Sequence, residues 1–425
     1  MTTPESSSAS QKTPQAAACR FCGSTDRRSF VDLGMSPLCE SYLPADKIND
    51  MEPFYPLHVW VCEKCLLVQL DEYVSPEHIF TEYAYFSSFS TAWLKHAEDY
   101  VEMISKRLAL GPKSLVIELA SNDGYLLQYF VKRGIPSLGI EPAANVAKVA
   151  VAERGVETLV KFFGRELAAS LKAEGRQADL VLGNNVLAQV PDLNSFVAGI
   201  RTLLKPTGTC TIEFPHLQRL VEGNQFDTIY HEHFCYFSLV AAERIFAAHD
   251  MTIFDVEELW THGGSLRIYA RPAADSSRPI SDRVLALRKQ EEAAGYHDLQ
   301  HYLRFEEQVR ETKRKLLELL TGLKRAGKRI AGYGAPGKGN TLLNYCAIRQ
   351  DFLDFTVDRN PYKQGRFLPG THIPIYAPEK IDQEKPDYVF ILPWNFKDEI
   401  MKQLAHIRSW GGQFIVPIPE AVVVP

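Results

Sequence analysis

The chain has 425 residues, 45% of them hydrophobic and 23% charged, with a formal net charge of -5 and an isoelectric point near 6.2. That length predicts about two to four domains, and that charge excludes a broad nucleic-acid or anionic-membrane surface while leaving room for a local basic pocket. No run approaches the roughly 18 apolar residues of a membrane helix, so no membrane partner is expected.

Residues 1–18, MTTPESSSASQKTPQAAA, lack the apolar core of a signal peptide and read as a disordered tail. The expected compartment is the cytoplasm, where the eight cysteines stay reduced or hold metal. Cys19-Arg-Phe-Cys22 opens a compact region, 19–80, and Cys62-Glu-Lys-Cys65 supplies a second knuckle. Two such pairs suit a four-cysteine zinc site with no open coordination position, which makes the metal structural. Two coincidental pairs of reduced thiols are the plain alternative. A nucleic-acid-binding ribbon is disfavoured by the acidic neighbours Asp32, Glu40, Asp46, Glu63 and Asp71.

A helix is expected from about 90 to 110, with Trp93, Leu94, Ala97, Val101, Ile104 and Leu108 at helical spacing. An αβ alternation follows. Strands are expected at 114–120, 137–141, 178–182 and 209–214, with helices at 125–133, 143–154 and 193–204. This predicts a parallel, doubly wound α/β sheet. The first strand runs into Glu118-Leu-Ala-Ser-Asn-Asp-Gly-Tyr125, which is not a GxGxxG dinucleotide turn. Its acid, its small residues Ala120 and Asn122, and Gly124 suit close approach to a ligand. Glu141 at the end of the second strand can accept hydrogen bonds from ribose hydroxyls. Asn184 and Asn185 after the third strand suit the amino-acid end of S-adenosylmethionine. A nucleotide cofactor and a ligand-free turn remain the alternatives on these residues.

Thr228-Ile-Tyr-His-Glu-His-Phe-Cys-Tyr-Phe-Ser238 then gathers Tyr230, Glu232 and His233 within a few positions. Methylation of carbon needs a base to make an enolate and donors to hold its oxyanion. Catalysis, a metal site and plain packing are all open for this segment. As a strand, it would set Tyr230 and Glu232 on one face and His231 and His233 on the other. His262-Gly-Gly-Ser-Leu-Arg267 follows, where Arg267 could meet a phosphate. The charged stretch 276–327 is expected to be one or two long helices linking two lobes. Gly332-Tyr333-Gly-Ala-Pro-Gly-Lys338-Gly-Asn340 then starts a second, Rossmann-like α/β unit over 328–425. Its loop reads as an anion-approach turn at a helix N-terminus, against a structural turn or a dinucleotide site.

The paired knuckles, FTEYAYFSSFS, ELASNDGYLL, GNNVLAQVPDL, TIYHEHFCYFS, HGGSLRIYA and GYGAPGKGNTLLNYC, in this order, resemble the sugar C-3'-methyltransferases of deoxysugar and antibiotic pathways, of the tetronitrose type. The resemblance spans nearly the whole chain beyond the tail. It implies a class I S-adenosylmethionine-binding methyltransferase domain (81–275) between the zinc module and a C-terminal sugar-nucleotide-binding domain. It also implies a nucleotide-linked, usually dTDP-linked, 4-keto-6-deoxysugar as substrate. By the same analogy His233 is the base, Glu232 and Tyr230 position the sugar or stabilise the enolate, and Tyr83 or Tyr85 enters the site. Lys338, Tyr333, Asn340 and Arg267 are the expected contacts to the sugar nucleotide. The family commonly has histidine where this chain has Gln189, which can donate a hydrogen bond but cannot exchange protons. O- or N-methylation of a related natural product is the alternative reaction. A monomer is expected because the paired lobes cover each other.

Overall fold

The computed structural model describes residues 18–76, 86–89 and 91–425. Tyr83 and Tyr85 lie outside these residues, as does most of the N-terminal tail.

The central sheet has seven strands, in the order Thr158–Leu159, Ser137–Ile140, Val116–Leu119, Ala178–Asn184, Leu204–Pro215, Ser265–Pro272 and Met251–Leu259. The first five are parallel, and the last two form an antiparallel hairpin at one edge. That order and that reversed hairpin make the class I methyltransferase arrangement of a Rossmann-like sheet. Both faces are covered, so the strands read as continuous apolar runs rather than alternating ones. Val181 packs on one side with Leu193, Val197 and Ile200, while Leu180 and Leu182 pack on the other with Tyr100, Val101 and Leu126. Four of the described α-helices begin with a side-chain cap: Asp192 accepts from Ser195 N–H, Ser238 from Ala241 N–H, Ser281 from Val284 N–H, and Asp298 from Gln300 N–H.

In the N-terminal region, Arg27–Ser36 pairs antiparallel with Tyr55–Cys62, which pairs with Val68–Leu70. The register sets Arg27 opposite Cys62 and so folds the first knuckle onto the second. The fourth strand of this sheet, Cys235–Tyr236, comes from the His-Glu-His segment, with Cys235 opposite Gln69 and Tyr236 opposite Val68. The zinc module is thereby built into the site rather than appended to it.

The C-terminal sheet runs Ile375–Tyr376, Thr356–Val357, Ile330–Tyr333, Tyr388–Ile391, Gln413–Val416 and Val422–Val424, all parallel except the last. The stretch expected as one or two long helices forms Asp282–Ala294, the short Leu299–Leu303 and the 21-residue Phe305–Arg325. Its first helix is anchored in the methyltransferase half. There Glu291 accepts from Leu239 N–H, Val240 N–H and His216 Nε2. Its last helix joins the zinc-module strands and the C-terminal sheet in one apolar core, where Phe305 stacks on Phe30 at 4.8 Å. No helix among the described residues is long and apolar enough to cross a membrane.

Candidate active site

A cavity of about 620 Å³ opens at the carboxyl ends of the central parallel strands, where ligands of such sheets bind. It is walled by the methyltransferase sheet, the His-Glu-His segment, the zinc-module residues Cys39 and Glu40, and the C-terminal loop at Lys338.

On the sheet side it is lined by Ala120, Asn122, Glu141, Asn184 and Asn185. The turn after the first strand carries three left-handed residues, Ala120 (φ 55°), Asn122 (φ 49°) and Gly124 (φ 75°). Such backbone persists in non-glycine residues only where the surroundings enforce it. Here Glu141 does so, accepting from Asn122 N–H at 2.8 Å and Ala143 N–H at 2.9 Å. Burial raises the Glu141 carboxyl above its ordinary range. Gly124 does not reach the cavity wall; a Cβ there would lie 3.1 Å from both Ala150 Cβ and Val156 Cγ2, so its bareness serves helix packing. Glu118 lies beneath the cavity, 1% exposed, its carboxyl pushed well up by burial and by Glu141 and Asp123. Asn185 Oδ1 is buried and finds no hydrogen-bond partner among the described residues. A lone acceptor at a strand end, in the same cavity as Glu141, has the chemistry to fit the ammonium of S-adenosylmethionine.

The His-Glu-His segment is not a strand over its reactive part. After the turn Phe226–Thr228 the chain runs irregularly until Cys235, so the expected division of faces does not occur. Tyr230, Glu232 and His233 all line the cavity, joined by Gln189. His231 turns away, its Nε2–H donating to Pro56 O at 3.2 Å and its ring against Tyr55. His233 Nδ1–H donates to Thr228 O at 3.3 Å, which leaves Nε2 as the basic nitrogen of a neutral ring. Burial pushes its pKa down to about 3. Glu232 moves the other way, up to about 8, through burial and then the nearby Glu40. The Cys39 thiol faces it, with Sγ 3.9 Å from Oε1. At neutral pH this pair is therefore an uncharged base and an uncharged acid side by side.

Lys338 is the one expected sugar-nucleotide contact that lines the cavity, its Nζ donating to Asn395 Oδ1 at 2.9 Å above the Trp394 ring. Burial lowers its pKa, with Asp227 opposing. The other three are engaged elsewhere. Arg267 is 4% exposed and spends its guanidinium on Glu213 at 2.8 Å and Glu257 at 3.1 Å, over the Tyr100 ring. Burial works against the Glu213 charge, but His96 and Arg267 hold its pKa at about 2. Asn340 donates to Cys39 O at 2.6 Å, tying the C-terminal helix to the zinc module. Tyr333 OH meets Gln403 Oε1 at 3.4 Å, away from the cavity.

Glu40, Lys363 and His262 also line the cavity, with no role assigned to them from sequence. Glu40 and Lys363, 3.6 Å apart, come from opposite ends of the chain, and no local pattern joins them. The one sequence signal for His262 is the glycine pair behind it, which permits the sharp turn that presents the ring.

The Sγ atoms of Cys19, Cys22, Cys62 and Cys65 all lie within 4.8 Å of one another, with Cys19–Cys65 and Cys22–Cys62 at 3.5 Å. Zn–S bonds of about 2.3 Å in a tetrahedron put sulfurs about 3.8 Å apart, so the set fits a closed structural zinc site.

Residues 260–419 match a C-methyltransferase C-terminal domain, 19–80 a zinc binding domain, and 93–256 a methyltransferase domain. C-methyltransferase NovU of Streptomyces niveus is 36% identical over 406 residues, 96% of each chain. The chain belongs to this C-methyltransferase family. It is an S-adenosylmethionine-dependent C-methyltransferase with a structural zinc site. Solved structures overlap it more weakly. The PH0226 protein of Pyrococcus horikoshii OT3 is 17% identical at a TM-score of 0.37, covering 48% of this chain and 99% of that chain. A Clostridium acetobutylicum S-adenosylmethionine-dependent methyltransferase is 12% identical at a TM-score of 0.35, covering 42% of this chain and 91% of that chain.

Proposed function

We propose that this C-methyltransferase methylates C3' of a nucleotide-linked 4-keto-6-deoxysugar, of the dTDP-linked type, in a deoxysugar or antibiotic pathway of the cytoplasm. The observation that carries this reading is the buried neutral His233, its tautomer pinned by Thr228 O, in the same cavity as the protonated Glu232. Transfer to a hydroxyl or amine needs little more than proximity and a modest base, with no enolate for a neighbouring donor to hold. A ketone at C4' acidifies the C3' proton, and His233 Nε2 takes it. Charging a buried imidazole is costly in isolation, but here imidazolium and enolate form together as a pair. Glu232 and Tyr230 stand as donors for the oxygen on which charge develops. S-adenosylmethionine, when bound, supplies the methyl group that C3' attacks.

The strand-end residues Glu141, Asn122, Asn184 and Asn185 would hold that cofactor. Lys338, beside the start of the helix Gly337–Cys346, would take the diphosphate of the sugar nucleotide. Gln189 would donate to a sugar oxygen. Tyr83 or Tyr85 would complete the sugar side, and the protein would act as a monomer.

The test is hydrogen exchange. The protein is incubated in heavy water with dTDP-4-keto-6-deoxysugars and S-adenosylhomocysteine, and the C3' proton is followed by NMR. Enzyme-dependent loss of that signal, absent in His233→Ala, supports the enolate. Turnover of a substrate without a ketone, with His233 dispensable, would overturn the reading.

A further inference from the structure

We infer that His262 is a second catalytic histidine, donating its Nδ1–H to the C4' oxygen of the substrate as the enolate forms; this rests on the keto-sugar reading above. The residue lies on the cavity wall in a left-handed backbone conformation, φ 55° and ψ 17°. A histidine held there is a built feature rather than a relaxed turn.

The turn behind it is closely packed. A Cβ on Gly263 would lie 2.8 Å from the Trp394 ring, and one on Gly264 would lie 2.8 Å from the Arg219 side chain. Gln225 Nε2 donates to Gly263 O at 2.7 Å and holds the turn from below.

The ring itself is fixed in orientation and tautomer. Asn185 Nδ2 donates to His262 Nε2 at 2.7 Å, so Nε2 accepts and the ring proton sits on Nδ1. Trp93 packs edge-on at 5.4 Å. His262 and His233 line the same cavity, so both rings stand within one binding space. Burial, with Lys338 nearby, keeps the ring neutral, its pKa pushed down to about 4. A neutral imidazole donates a hydrogen bond to an oxyanion without giving up its proton.

The arrangement complements the departure at Gln189. That glutamine lines the same cavity without proton chemistry, while His262 supplies a preset donor from another wall. Asn185 itself lines the cavity, its Nδ2 orienting His262 while its Oδ1 finds no partner among the described residues.

The test compares C3' exchange in zinc-loaded full-length enzyme, using dTDP-4-keto-6-deoxyglucose and S-adenosylhomocysteine in heavy water. His262→Gly accepts the backbone angle and removes the donor. His262→Asn also suits that angle and keeps an N–H where Nδ1 stood. The glycine variant is expected to lose about 100-fold or more in exchange rate, the cost of one oxyanion donor, with unchanged affinity for S-adenosylhomocysteine. The asparagine variant is expected to stay within about tenfold of wild type. Exchange by wild type and equally by His262→Gly overturns the donor role alone. An asparagine variant as slow as glycine also overturns it, because proton exchange at the ring would then be required. No exchange by wild type overturns the enolate and the donor together. A fourth readout needs no variant to fold: in 15N-histidine-labelled wild type, Nδ1 of His262 should stay protonated and its proton move downfield when the keto-sugar binds. An unprotonated Nδ1 sinks the proposal.

Discussion

The His233 ring lies 4.2 Å from the ring of Tyr230, and its Nδ1–H donates to the carbonyl of Thr228, five residues earlier in the chain. With that nitrogen committed, Nε2 is the one atom of the ring that can take a proton. His233→Ala should therefore lower methyl transfer by about 100-fold to 10,000-fold, the usual span for a positioned base. S-adenosylhomocysteine affinity, read by calorimetry, should stay within about twofold of wild type, because the base makes no part of the cofactor half. Turnover near wild type would remove His233 from the base role.

The raised carboxyl of Glu232 should give activity an alkaline limit. A group at about 8 in the folded protein, against an ordinary 4.5, is protonated at neutral pH and loses its proton as pH rises through about 8. If its acid form is the working donor, kcat should fall across that range. Glu232→Gln keeps a donor that does not titrate, so its profile should stay flat there. The same sign applies to stability. The preference for the protonated form helps the fold below the unfolded value and is lost as pH rises through the folded one. An unchanged alkaline limb in Glu232→Gln would assign it to another group.

Arg267 and Lys338 should separate cleanly when each is truncated. Arg267→Ala leaves the buried Glu213 to His96 and Thr261 alone, and breaking such a buried pair costs up to about 3–5 kcal/mol. Its effect should be a lowered Tm, with KM for the sugar nucleotide unchanged in whatever remains folded. Lys338→Ala should raise KM about tenfold or more, the loss of one charge-assisted contact, with little change in Tm. The reverse pattern would return the phosphate contact to Arg267.

Zinc removal should unfold more than the zinc module. Cys19, Cys62 and Cys65 share a core with Ile117, Leu119 and Val181 of the central sheet, and Cys235–Tyr236 closes the module's own sheet. A strong chelator should therefore lower the Tm of the methyltransferase half and abolish activity in parallel. Cys62→Ser should bind less than one zinc per chain by atomic absorption. Full stoichiometry in that variant would exclude the four-thiolate site.

S-adenosylmethionine should raise the melting temperature, by mass action on the folded state. Glu141→Ala should weaken that shift, because its carboxylate holds the Ala120–Gly124 turn through Asn122 N–H. A full shift in Glu141→Ala would remove that residue from the cofactor half.

Much of this was legible in the chain because the signals are local. The CxxC pairs, the buried strands that end at Glu118 and Glu141, and the glycine loop before Lys338 each declare themselves over a few residues. Parallel pairing follows from the same logic, since strands joined by helical crossovers return to run the same way. The His-Glu-His cluster was visible as a set of residue types, but its orientation was not. Period-two alternation applies only to a strand, and this segment is irregular until Cys235.

Tertiary structure alone decided which polar groups are free to act. Arg267 and Asn340 look like ligand contacts in sequence, yet Glu213, Glu257 and the Cys39 carbonyl take their donors. Glu40 meets Lys363, and Asn185 meets His262, across chain separations that no periodicity encodes. Local pattern determines which elements form, because propensity and hydrophobic spacing act over a few residues. Burial and pairing determine chemistry, because the charge state of a side chain depends on every group that packs against it.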